Sequence, residues 1–206
     1  MIKLYGSARS RAARCLWMLE ELGQDYEHLD LAGMDADDAL QTVTRVNPIG
    51  KVPALEDGET RLFESIAINL HLAAKYGGPL WPSDVNGQGL ATAWSIWGMT
   101  EMEPPLAQLF LERVMRKEAQ RDRQNEARAL ETLERPLDAL ESYLAGLQFL
   151  LGTQFTVADL NLASVLTLMN RANFELQAYP NIDRWRRACY DRPAYRKIYP
   201  NKPPPA

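Results

Sequence analysis

One stretch of the chain holds side chains whose types and spacing can do chemistry. It runs Asn47-Pro48-Ile49-Gly50-Lys51-Val52-Pro53-Ala54-Leu55, and Glu64-Ser65 follows nine residues later. A proline opening a strand belongs at an edge or bulge, since it brings no N–H to the ladder. If the Val52–Pro53 bond is cis, the N–H and C=O of Val52 turn outward from the sheet. They can then pair with an extended peptide, as an added strand would. Ser65 begins a helix whose third following residue is Ile68, so no capping box forms there. The first N–H groups of that helix and the Ser65 hydroxyl are left to hold a carboxylate. Glu64 beside them suits an ammonium group. Carboxylate and ammonium on neighbouring atoms describe an amino-acid end, and Lys51 can meet a second carboxylate at the far end of a short peptide.

The elements that must position these residues follow from periodicity. Ile2–Tyr5 reads as a strand, and residues 11–22 as a helix with Leu16, Leu19 and Leu22 on one stripe, stopped by Gly23. Residues 26–31 read as a second strand and 35–46 as a weak helix. Residues 51–56 and 61–63 form two more strands around an Asp57-Gly58 turn. Ser65–Tyr76 is a helix with Ile66, Leu70 and Ala73 on one face. The order is βαβ-α-ββα, with parallel pairing in its first part and an antiparallel hairpin at one side of a mixed sheet. Gly77-Gly78-Pro79-Leu80-Trp81-Pro82 breaks regular structure and marks a domain boundary. The expected division is an α/β domain over 1–78, a linker over 79–85 and an all-α domain over 86–206. The helical part divides into 89–115, 119–147, 156–171 and 182–191, with Pro104-Pro105 and Pro136 as kinks or breaks. Thr156-x-x-Asp159 is a capping-box variant with a structural role. The closing Lys-Pro-Pro-Pro-Ala reads as a loose tail.

Composition narrows the function classes. The 206 residues are 46% hydrophobic and 24% charged, enough apolar material for a packed core. Lys plus Arg is 23 against Asp plus Glu 27, a net charge of −4. Without a basic excess, nucleic acid is not the expected partner. No apolar run approaches the roughly 18 residues of a membrane span, and no apolar segment precedes the N-terminal charges as in a secretory signal. Neither a membrane nor a secretory route is expected. The only cysteines are Cys15 and Cys189 and the only histidines His28 and His71. These support neither a disulfide framework nor a structural zinc site, so no metal is expected and a reducing cytoplasm fits best.

The segment N-P-x-G-K-V-P-A-L…L-F-E-S-x-A-I resembles the glutathione-binding signature of the cytosolic glutathione transferases. The opening L-Y-G…S-R-A-A-R-C-L-W-M-L-E-E-L-G and the later F-L-L-G-T-Q-F-T-V-A-D-L extend the likeness over nearly the whole chain. The resemblance implies a thioredoxin-like N-terminal domain followed by an all-helical one carrying the second-substrate site. It implies that Pro53 is cis, that Val52 pairs with the cysteinyl backbone of glutathione, that Glu64 and Ser65 hold its γ-glutamyl end, and that Lys51 lies near the glycine carboxylate. It also implies a homodimer joined along the first two helices of the helical domain. The implied reaction is attack of glutathione, as co-substrate, on a small, mostly apolar electrophile. Glutathione-dependent peroxide or disulfide reduction, and glutathione binding without turnover, are the alternatives.

A free thiol ionises near pH 8.5, so the protein must favour the thiolate. The turn Gly6-Ser7-Ala8-Arg9-Ser10-Arg11, between the first strand and first helix, lies at the sheet edge where a donor belongs. Counted forward from Leu4, the serine-using classes match Ser10, in a serine-class-like loop; counted back from Arg14 and Gly23, they match Arg9. Ser10 is the favoured donor, Ser7 is a second candidate, and Arg9 is a source of charge. Trp94, Trp97, Met99, Met102 and Glu103 are candidate second-substrate contacts, more simply read as core or dimer contacts. Tyr5 and Cys15 are expected to be buried, and His28 and His71 to be partly exposed polar residues.

Overall fold

Four strands of four residues each build the sheet: β1 (Ile2–Tyr5), β2 (Tyr26–Leu29), β3 (Ala54–Asp57) and β4 (Thr60–Phe63). Their order is β2-β1-β3-β4 in a computed structural model that describes residues 1–200. β1 and β2 run parallel, with Leu4 opposite His28, while β1–β3 and β3–β4 are antiparallel. The parallel pair needs a crossover, which α1 (Ala12–Leu22) supplies. Gly23 ends α1 in the left-handed conformation, its N–H turned back to the carbonyls of Leu19 and Glu20.

Alternation along the strands sorts side chains to two faces. Tyr5 and Ala54 pack with Val43 and Val46, which lie at and just beyond the end of α2 (Ala36–Thr44). Leu4 and Leu55, opposite one another and fully buried, point to the other face. On that side α1 packs against α3 (Ser65–Tyr76). The βαβ-α-ββα order is thus the thioredoxin-like one that the resemblance implied. β3 starts at Ala54 rather than at 51 and β2 stops at Leu29 rather than 31, so Lys51, Val52 and Pro53 lie ahead of the ladder.

The helical unit begins at Pro82. α4 (Val85–Trp97) starts four residues earlier than its periodicity suggests, because Asp84 accepts the N–H groups of Asn86 and Gly87. The expected span 89–115, with a kink or break at Pro104-Pro105, is α4, a π-helical stretch Gly98–Met102, α5 (Glu103–Phe110) and a second π stretch Leu111–Met115. Pro104 and Pro105 fall in the first turn of α5, where a missing N–H costs no helical bond. α6 (Arg123–Tyr143) keeps Pro136 buried in its interior, and α7 (Val157–Arg171) and α8 (Pro180–Tyr190) complete the unit. The capping box before α7 is present. Asp159, fully buried, also accepts the Leu150 N–H at 2.7 Å and the Trp185 indole N–H at 2.9 Å.

The last helix, α9 (Pro193–Ile198), groups with the first unit rather than with the helices before it. The cause is charge and ring complementarity with α1. Arg192 makes two hydrogen bonds of 2.7 Å to Glu21, Lys197 meets Glu20 at 2.7 Å, and the Tyr195 ring stands edge-on to Trp17 at 4.9 Å. The proline-rich tail, 202–206, lies outside the described residues.

Candidate active site

The turn leaving β1 is shaped by what Gly6 lacks. Its φ is +128°, and a Cβ there would lie 2.9 Å from the Cβ atoms of both Val52 and Ala12. Only glycine lets this turn approach Val52 so closely. Ser7 Oγ then accepts the Arg9 N–H at 3.2 Å. Ser10 Oγ donates to the Ser7 carbonyl at 2.7 Å and accepts the Ala12 N–H at 3.1 Å. The Ser10 hydroxyl thus holds the first N–H of α1 just ahead of the Arg11 cap position, with its proton directed at the Ser7 carbonyl. Among the described residues no acceptor takes the Ser7 hydroxyl proton, and Arg9 is exposed.

The segment ahead of β3 is held from within by Asn47. Its side chain is 3% exposed, donates to the Lys51 carbonyl at 2.7 Å and accepts the Ile49 N–H at 3.0 Å. This small side-chain turn presents Lys51 to solvent and Val52 at the site's rim. The Val52–Pro53 bond is cis. Since β3 begins only at Ala54, the Val52 main chain lies beyond the ladder.

Glu64 occupies φ 68°, ψ 114°, where a residue with a side chain is strained, and it precedes an α3 that no side chain caps. Ser65 is the first helical residue, 2% exposed. Its hydroxyl accepts from Arg14 Nη1 at 3.4 Å, and Asn69 Nδ2 donates to the Arg14 carbonyl at 3.3 Å. A buried cation thus stands behind a helix N-terminus whose N–H groups lack a side-chain acceptor. Both features favour an anion in front of Ser65.

The six residues singled out in the sequence fall on three neighbouring segments: Ser10 on the first turn, Lys51, Val52 and Pro53 on the second, Glu64 and Ser65 on the third. Gly6 against Val52 and Arg14 against Ser65 tie the segments together. Asn47 and Arg14 were not singled out. An Asn before Pro signals a side-chain turn, whereas nothing local marks Arg14, whose partner is 51 residues away.

Other reactive side chains are committed elsewhere. Tyr5 donates to Glu56 Oε2 at 2.6 Å; burial first, and then that bond, push its phenol up to about 12. Burial likewise pushes the Cys15 thiol up, away from nucleophilic use. Trp94 packs on Trp97 and Tyr143, with ring centroids 5.2 and 4.5 Å apart, and Met102 is fully buried. Among the described residues, no group of three His, Cys, Asp or Glu side chains is placed to hold a metal ion.

Comparison with known proteins gives this geometry its context. Residues 1–74 match the family model of the glutathione S-transferase N-terminal domain, and residues 102–193 that of the C-terminal domain. Glutathione S-transferase 4 of Zea mays is 30% identical over 204 residues, covering 96% of this chain and 91% of its own. The solved theta-class glutathione S-transferase of Xanthomonas axonopodis pv. citri, with glutathione bound, is 30% identical with a TM-score of 0.86, covering 95% of each chain. A glutathione transferase from Burkholderia graminis, solved with two glutathione molecules per subunit, is 28% identical with a TM-score of 0.86, over 97% of this chain and 88% of that one. The chain belongs to the glutathione S-transferase family.

Proposed function

We propose that this protein is a glutathione transferase that binds glutathione along Val52, ionises its thiol at the β1–α1 turn and joins the sulfur to a small, mostly apolar electrophile. The observation that carries this reading is the uncapped N-terminus of α3, with Ser65 against the buried Arg14, beside a Val52 main chain that no strand uses. The peptide's cysteinyl backbone pairs with Val52 next to Pro53. Its γ-glutamyl carboxylate sits on Ser65 and the first N–H groups of α3, its ammonium on Glu64, and its glycine carboxylate near Lys51. A two-unit drop in thiol pKa needs roughly 2.7 kcal/mol of preference for the anion. One or two hydroxyl or N–H donors supply that order of energy. Ser10 is the assigned donor; to serve, its proton swings from the Ser7 carbonyl to the sulfur.

Family membership and the exposed Leu90 and Ile96 on α4, 49% and 53% accessible, support a homodimer joined along the first helices of the helical unit. Cytoplasmic residence is supported by two buried cysteines that form no disulfide among the described residues. No helix among the described residues is long and apolar enough to cross a membrane.

The test combines retention on immobilised glutathione with turnover of chlorodinitrobenzene, in which the thiolate displaces chloride and the thiol proton leaves to solvent. Wild type is expected to be retained and active. Ser10→Ala is expected to be retained but to lose about a hundredfold in kcat/KM, the scale of one oxyanion donor. If Ser7→Ala shows that loss instead, the donor assignment passes to Ser7. Retention without turnover of any electrophile, hydroperoxides included, marks a binding protein.

A further inference from the structure

The sequence leaves His28 as a polar residue on a strand, but its register gives it a specific task. β2 is the outer strand of the sheet, and Leu4 opposite His28 places the imidazole near the end of β1. His28 Nε2 lies 2.7 Å from the Gly6 carbonyl oxygen. A carbonyl only accepts, so Nε2 carries the proton. Both the neutral Nε2–H tautomer and the imidazolium can make this bond. The Gly6 N–H donates to the Leu29 carbonyl at 3.0 Å. Both polar groups of Gly6 are therefore held by β2, one through backbone and one through the histidine.

Gly6 is the pivot of the site. Its carbonyl belongs to the peptide that begins Ser7, and the Ser7 carbonyl in turn accepts the Ser10 hydroxyl. On its other side Gly6 packs against Val52 with no room for a side chain. Rotation of the 6–7 peptide would move both candidate hydroxyls and loosen the turn's seat on Val52. We propose that His28 is a positioning residue that fixes the Gly6–Ser7 peptide, and through it the hydroxyls that stabilise the glutathione thiolate. This rests on the transferase reading above. His28 touches no substrate; it acts through the turn.

The experiment uses the full chain as wild type, His28→Ala and His28→Gln, the last because its terminal amide offers a donor at similar reach. The ionisation of bound glutathione is followed by thiolate absorbance against pH, alongside kcat/KM with chlorodinitrobenzene, glutathione affinity and melting temperature. His28→Ala is expected to raise the pKa of the bound thiol and lower kcat/KM by about three- to tenfold, the scale of one hydrogen bond. Glutathione affinity is expected to change less, because Val52, Glu64 and Ser65 are untouched. His28→Gln is expected to recover most of both losses. A His28→Ala variant that melts earlier but leaves the bound-thiol pKa unchanged overturns the proposal, as does a His28→Gln variant no better than His28→Ala. Wild type that neither binds nor ionises glutathione overturns the transferase reading and this one with it.

Discussion

Glu64 is the residue at which strain and charge coincide. Its φ of 68° is unfavourable for any residue with a Cβ, and the energy, of order 1–3 kcal/mol, must be returned by the surrounding fold. Such strain is tolerated where it aims a side chain, and here it leaves an exposed carboxylate at the start of an uncapped helix. Glu64→Gln keeps shape and strain while removing the charge that would meet an ammonium. It is expected to weaken glutathione binding by about ten- to a hundredfold, the range of a charged hydrogen bond, with little change in melting temperature; calorimetric titration reads both the loss and its size. Unaltered affinity would remove Glu64 from the site. Glu64 and Ser65 were legible as a pair because charge next to a helix start has a physical meaning without a fold. Arg14 was not, since its meaning lies in Ser65, brought to it by the packing of α1 on α3.

Between elements, two contacts decide how well the site is held. The first is the glycine seat under Val52. Gly6→Ala adds a methyl 2.9 Å from two other Cβ atoms at a φ that side chains avoid. It is expected to cost about 2–3 kcal/mol in denaturant unfolding and to weaken glutathione binding together with stability. An alanine variant with native affinity would show that the turn does not need this approach to Val52. The second contact joins the end of β3 to α3. Buried Asp57 accepts from His71 at 2.8 Å, Lys75 at 2.8 Å and Tyr76 at 2.7 Å. Burial by itself would raise this carboxyl, but the hydrogen bonds from Lys75, Tyr76 and His71 outweigh it and hold the pKa at about 2, against 3.8 for a free aspartate. The stabilisation is therefore complete above pH about 4, shrinks as the pH falls below the unfolded value and is gone once it has passed the folded one. Urea midpoints between pH 5 and pH 2 are expected to fall less steeply in Asp57→Asn than in wild type; equal slopes would deny the clamp its share. His71, read from the sequence as an ordinary polar residue, belongs to this clamp.

For the whole molecule, the notable feature is the return of α9 to the first unit. Glu21 has a nearly buried side chain that accepts from Trp17 Nε1 at 2.9 Å as well as from Arg192. Arg192→Ala would leave a buried carboxylate with one fewer charged partner. A loss of about 1–3 kcal/mol is expected, seen as a melting temperature several degrees lower. An unchanged melting temperature would mean that the segment from Arg192 only rests on α1. Sequence reading placed this segment with the helices before it, because proline at 193 and a six-residue span offer too little periodicity to separate it.

The sequence alone determined the βαβ-α-ββα order and the helical second half, and it marked residues 47–55 as the candidate segment for holding a peptide. Each of those rests on local physics: alternation for strands, a 3.6-residue stripe for helices, and a Val-Pro step ahead of a strand. Tertiary structure decided which groups face one another across long stretches of chain: Arg14 behind Ser65, His28 on Gly6, and α9 on α1. It also decided that the Ser10 proton points at Ser7 and that α4 and α5 are joined through π turns. Those outcomes depend on strand register and on how helices pack, and neither is encoded in the spacing of residues along a single element.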